Sequence, residues 1–222
     1  MFIEVNKKNL SDEVASQIIN RIISGALLPG EKLPPEREVS EKMNVNRHTL
    51  REALRKLEVL GLLSARQGDG IYIKDYRDSG NLELLKHILY QNKDSNPGAL
   101  KDILEIRRII SPEMAEKAAL NRTEADIIAF QEILVSEKST IEKDLAIHQA
   151  IARAGNNILY IFILNFFNDI FKDFGQLYFS IEENKKVSNK FHNDIAKAII
   201  AGDSKSAKKI MNDVITYAEK KY

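Results

Sequence analysis

Two amphipathic helical stretches that meet across about three residues leave a chain few ways to fold, and residues 35–60 contain such a pair. Pro35 stands at the favourable first position of a short helix carrying Val39 and Met43 on one side. Asn44 suits the tight turn, because a short amide side chain tolerates a left-handed backbone. Asn46 is placed to cap the next helix, in which Leu50, Leu54 and Leu57 face inward until Gly61 ends it. Upstream, Leu10, Val14, Ile18 and Ile22 recur every four residues behind Ser11 as N-cap, with Asp12 and Glu13 in the first turn, which predicts a first helix broken by Gly25–Gly30. Downstream, 62–65 and 71–73 read as short strands around Arg66-Gln-Gly-Asp-Gly70, whose glycines permit a hairpin loop. The sum is a helix, a helix-turn-helix and a β-wing.

A helix-turn-helix places the first residues of its second helix against the base edges of the major groove, so those residues should be long and polar. Asn46-Arg47-His48-Thr49-Leu50-Arg51 fits, with Arg47 and Arg51 one turn apart. The net charge of +1, from 33 Lys and Arg against 32 Asp and Glu, excludes a polycation, but charge is locally uneven. Between Arg47 and Arg66 five cations (Arg47, Arg51, Arg55, Lys56, Arg66) stand against two acids (Glu52, Glu58), the footprint expected of a surface that meets phosphates.

At this point the residues resemble a known family. Gly30-Glu-Lys-Leu-Pro-Pro-Glu-Arg-Glu-Val-Ser-Glu41, Val45-Asn-Arg-His-Thr-Leu-Arg-Glu-Ala-Leu54, Leu60-Gly-Leu-Leu63 and Gln67-Gly-Asp-Gly70 are similar to the winged-helix domain of GntR-type bacterial transcription regulators. The resemblance implies that Arg37, Asn46, Arg47, Thr49, Arg51, Gln67 and Gly68 touch DNA. It also implies a homodimer on a palindromic double-stranded operator. His48 departs from the family pattern, where a small residue or Thr is usual.

The 222 residues allow two domains, and the polar stretch Asp75-Tyr-Arg-Asp-Ser-Gly80 marks the expected division: 1–75, a linker over 76–81, and a second domain over 82–222. Helical periodicity then runs over about 98–120, 123–137, 140–154, 157–180, 184–201 and 204–221, with a shorter piece near 82–91 and a loop over Asn92–Gly98. The expected fold class is mainly α, a winged helix-turn-helix followed by an all-α bundle. Charged residues on apolar stripes need an explanation, since an unpaired buried charge is costly. Arg107 shares a stripe with Leu100, Ile103, Leu104, Ile110 and Met114. Asp144 and His148 lie one turn apart among Ile141, Leu145 and Ile151, and His192 lies with Ile195 and Ile199. These four read either as a metal-and-anion pocket inside the bundle or as hydrogen-bonded core groups. With no cysteine, any metal must use His and carboxylates. The chain has no apolar run of membrane-spanning length, and MFIEVNKKNL lacks an apolar signal core, so a cytoplasmic protein is expected.

The second half, through Leu104-Glu-Ile-Arg-Arg-Ile-Ile-Ser-Pro-Glu113, Asp144-Leu-Ala-Ile-His148, Ala154-Gly-Asn156, Phe191-His-Asn-Asp-Ile195, Ala198 and Gly202-Asp203, resembles the all-helical FCD ligand-binding domain of the FadR subgroup. Metal-binding members use an Asp, a His one turn later and two further His residues, which implies zinc, nickel or manganese at Asp144, His148 and His192. The fourth ligand would fall on Val214, which cannot ligate, with Asp213 turned away around the helix. Other members bind an organic effector without metal. The resemblance also implies that Arg107 receives the carboxylate of a small organic acid, and Asn165 is a further pocket candidate. The competing reading from a different class is a metal-dependent hydrolase built on Asp144, His148 and His192, although it lacks a placed general base and leaves the winged helix unexplained.

Overall fold

The computed structural model describes residues 10–91 and 97–221, the side chains at 90, 91, 97–100, 173 and 174 excepted. Contacts divide the chain between Lys93 and Asp94 into two compact units. The loop expected at 92–98 falls mostly outside the described residues, as does the side chain of Leu100.

The first unit contains α1 (Leu10–Ile23), α2 (Glu36–Lys42), α3 (Arg47–Val59), β1 (Leu63–Arg66), β2 (Gly70–Ile73), α4 (Tyr76–Ser79) and α5 (Leu82–Gln91). Its core joins Val14, Ile18, Ile19 and Ile22 of α1 to Leu50, Ala53 and Leu57 of α3, and Leu62, Leu63 and Ile73 close it. Ser11 is inside α1 rather than its cap: it is buried, and its hydroxyl accepts from Lys56 Nζ at 2.8 Å, next to an ion pair between Lys56 and Asp12. Pro35 stands one residue earlier than expected, as N-cap of α2 with ψ 140°. Asn44 takes the turn at φ 50°. Strands β1 and β2 pair antiparallel in the register Leu63↔Ile73 to Arg66↔Gly70, and the segment before α2 joins the free edge of β2 through Leu33 N–H to Ile71 O at 2.8 Å.

The segment expected as a linker over 76–81 is built into the first unit. Asp75 caps α4, Ser79 Oγ donates to Gly61 O at 2.7 Å, and Asn81 Nδ2 donates to Val59 O at 2.9 Å, so its polar side chains satisfy carbonyls at the end of α3 instead of facing only water. Gly61 permits this approach: it sits at φ +79°, and a Cβ there would lie 1.9 Å from Ser79 O. Leu84 of α5 is buried in the same core and Ile88 packs against it, which is why α5 belongs here and not to the second unit.

The second unit consists of α6 (Pro97–Asn121), α7 (Glu124–Val135), α8 (Thr140–Ala154), α9 (Ile158–Phe179), α10 (Glu182–Ala201) and α11 (Ser204–Glu219). Thr123 with Asp126 and Ser139 with Glu142 form capping boxes at the starts of α7 and α8. The core runs through Met114, Ala118, Phe130, Ile147, Ile151, Ile195, Ile199, Met211 and Ile215. Alanines on α6 let α11 lie close along it, and Lys208 adds ion pairs to Glu113 and Glu116. Arg122 donates to Ala119 O and Ile200 O, covering the carbonyl ends of α6 and α10 with one cation. Among the described residues no helix is long and apolar enough to cross a membrane.

Candidate functional site

The basic surface of the first unit is built on α3. Asn46 accepts from Thr49 N–H at 2.8 Å, which caps the helix and leaves Thr49 half-buried beside it. At about 100° per residue, Leu50, Ala53 and Leu57 define the buried side, His48, Arg51 and Arg55 turn away from it, and Arg47 is exposed as the first residue of the helix. Arg51 Nε donates to Glu36 Oε2 at 2.8 Å, fixing the guanidinium between α2 and α3. Arg37 lies 3.8 Å from Glu41, and His48 Nε2 lies 3.5 Å from Glu52. Lys56 is turned to α1, so it leaves the exposed basic surface. At the wing tip Gln67 and Gly68 are exposed, and the loop is braced by Asp69, which accepts from Lys32 Nζ and Tyr72 Oη at 2.7 Å each. Arg66 lies over the Tyr72 ring at 4.0 Å.

In the second unit the four inward polar residues converge. Arg107, Asp144, His148 and His192 are all buried, as are Ser111 and Ser188. Asp144 Oδ1 accepts from Ser188 Oγ at 2.8 Å and faces His192 Nε2 at 3.0 Å, while His148 Nε2 is 3.8 Å from Oδ2. Burial pulls the Asp144 carboxyl up, but His148, the His192 hydrogen bond and the Arg107 charge outweigh it and hold it at about 2. Burial and the Arg107 charge push His148 down to about 3 against the pull of Asp144, so the ring is neutral. Arg107 itself is lowered by burial, with Asp144 opposing. Its guanidinium lies 5.5 Å from the Phe171 ring and 6.0 Å from Phe167, and Phe191 stacks on His148 at 5.4 Å. Asn165 does not join them: it is exposed on α9 next to an exposed Phe162.

Comparison with known proteins also finds two parts, but the change falls between residues 73 and 74, ahead of α4 and α5. The family described as bacterial regulatory proteins, gntR family, matches residues 10–73, and the FadR C-terminal domain matches residues 74–220. This chain belongs to the GntR family of bacterial regulators. One relative, an Escherichia coli (strain K12) protein assigned to regulation of the L-lactate dehydrogenase operon, is 32% identical over 92% of this chain and 83% of its own. The transcriptional regulator Mce2R of Mycobacterium tuberculosis (strain CDC 1551 / Oshkosh) is 37% identical over 52% of this chain, so the chain spans about half of that relative's length (48%). Among solved structures, Listeria monocytogenes Lar superposes with a TM-score of 0.52 at 19% identity, covering 98% of this chain and 97% of its own, which is a likeness of fold. The matching family is one of regulatory proteins, which lends no support to a hydrolytic centre at Asp144, His148 and His192.

Nor do these residues of the GntR-family protein fit the metal that the family resemblance implies. Among the described residues no group of three or more His, Asp or Glu side chains can hold an ion. The chemistry explains why. Ionised Asp144 only accepts, so His192 donates to it from Nε2, and that nitrogen is not free to ligate. The fourth position is Val214, packed against the apolar core, and Asp213 is held by Lys209 at 2.6 Å. The guanidinium of Arg107 already supplies positive charge to Asp144. Sequence reasoning missed Ser111 and Ser188, each one turn from a residue it did single out, because a serine on an apolar stripe carries no charge to flag it. It also missed Glu36, whose role depends on the fold bringing α2 beside Arg51.

Proposed function

We propose that this GntR-family protein is a cytoplasmic, homodimeric transcription regulator whose two winged helices bind a palindromic DNA operator and whose helical unit senses a small organic acid. Arg37, Asn46, Arg47, Thr49 and Arg51, with Gln67 and Gly68 at the wing tip, meet the duplex. Arg47 and Arg51 supply bidentate donors for guanine or phosphate, and the braced wing reaches the adjacent backbone. The observation that carries the effector reading is a buried Arg107 whose Nε–H has no partner inside an enclosure of ionisable side chains. An organic carboxylate satisfies that donor and lies against the Phe167 and Phe171 rings. The acid acts on DNA binding by having different affinities for the operator-competent and incompetent states.

The test takes operator fragments selected from genomic DNA by the purified protein. Acid affinity is then measured by calorimetry with and without operator. Unequal affinities are expected, and by reciprocity the acid shifts operator affinity by the same factor. Equal affinities overturn the regulatory link.

A further inference from the structure

The outer face of the wing carries a charged cluster to which the proposed function gives no task. In the register of β1 and β2, Ser64 pairs with Tyr72 and Arg66 with Gly70, so Arg66 and Tyr72 share one face, opposite the one on which Leu63 and Ile73 enter the core. Lys32 is bridged to Tyr72 along the free edge of β2 and joins them. The Tyr72 ring thus meets one cation from each neighbouring strand, the Arg66 guanidinium carbon at 4.0 Å and Lys32 Nζ at 5.8 Å.

The two cations are held differently. Lys32 Nζ donates to Asp69 Oδ1 and Tyr72 Oη to Asp69 Oδ2, at 2.7 Å each, so both oxygens of that carboxylate are engaged and the Lys32 charge is answered inside the wing. Arg66 is drawn to Asp69 through its longer-range field only and rests on the ring. A stacked guanidinium has its flat face covered and its edge of N–H donors open, and Arg66 is exposed. That edge matches the two oxygens of a phosphate. Stacking also removes rotamers from a long side chain before DNA arrives, which lowers the ordering cost of the contact. Arg66 stands at the end of β1, one residue behind the tip formed by Gln67 and Gly68, so a tip that enters a groove leaves Arg66 at the rim, where the phosphates are.

Resting on the assignment of the wing to the duplex, we propose that Arg66 is a further DNA contact, a grip on one backbone phosphate beside the groove that Gln67 and Gly68 meet, and that Tyr72 is the positioning residue that aims it. Asp69 and Lys32 hold the Tyr72 ring in place.

The full chain and its variants are titrated by fluorescence anisotropy, over a range of salt, against an operator fragment selected from genomic DNA and a scrambled duplex of equal length. Arg66→Ala is expected to weaken binding to both duplexes by about tenfold. Its salt dependence should become shallower by about one unit of slope for each wing on the duplex. Arg66→Lys keeps the charge without the planar fork, and is expected to keep the slope while losing about threefold. Tyr72→Leu, which keeps bulk without an aromatic face, should cost about threefold in the parent and nothing further in the Arg66→Ala background. Tyr72→Phe, which keeps the ring, should stay within about twofold of the parent. Thermal unfolding identifies any Tyr72 variant that fails to fold, in which case the two Arg66 variants decide. An Arg66→Ala within about twofold of the parent at an unchanged slope, or a Tyr72→Leu loss as large without Arg66 as with it, overturns the inference. A loss confined to the operator, with the slope unchanged, makes Arg66 a base contact and overturns the phosphate assignment. If Gln67→Ala and every Arg66 variant bind as the parent does, the wing does not touch the duplex and the reading beneath this one fails too.

Discussion

His148 shows how much a single buried side chain can determine. Its ring titrates at about 3 in the folded chain against 6.5 ordinarily, so between those values the unfolded chain holds a proton that the folded one excludes. Stability therefore falls as pH drops from above 6.5 towards 3, by up to about 1.4 kcal/mol per pH unit for one proton. Asp144, held at about 2 against 3.8, adds to the loss below 3.8. Urea unfolding of the helical unit at pH 7, 6, 5 and 4 should show this slope, and His148→Gln should flatten it above pH 4; an unchanged slope would place the proton elsewhere. The sequence revealed His148, Asp144, His192 and Arg107 because a charge on an apolar stripe is visible by periodicity alone. It misplaced Asn165 because the apolar residues of α9 do not share one side: Phe166 is buried while Phe162, four residues earlier, is 64% exposed. Which nitrogen of His192 is used depends on Ser188 and Asp144 from two helices, and no spacing in the sequence encodes it.

At the scale of the element, α3 and the wing were legible because local rules govern them: an Asn cap, a left-handed Asn44, glycines in a short hairpin loop. The α4 segment was not, since its polar composition is the same whether it faces water or caps a neighbouring helix. Arg47→Ala and Arg51→Ala should each weaken operator binding by about 1–3 kcal/mol, measured by fluorescence anisotropy. Arg51→Ala should cost more, because it also leaves Glu36 uncompensated towards the phosphates. A salt dependence that becomes shallower in either variant identifies a phosphate contact, and an unchanged slope with relaxed sequence choice identifies a base contact. Gly61→Ala tests the α3–α4 junction. With φ at +79° and Ser79 O in the place of the new methyl, thermal unfolding of the first unit should show a loss of more than about 1 kcal/mol, whereas an unperturbed melting temperature would mean that α4 moves freely.

For the whole molecule, two separate cores predict two unfolding events. Leu84→Ala, which empties a fully buried position, should lower the first unit by about 2–4 kcal/mol and leave hydrogen-exchange protection of α8 and α10 unchanged. A coincident loss in both units would contradict the division between Lys93 and Asp94. The place of Leu84 also has a consequence for the order of events on the ribosome. Domains complete their folding during synthesis from the N-terminal side. The three-helix and wing portion carries all the motif residues by Ile73, yet its core stays open until α5 has left the exit tunnel. A nascent chain arrested just after the wing should therefore be digested by protease, and one extended past α5 by a tunnel's length should resist it.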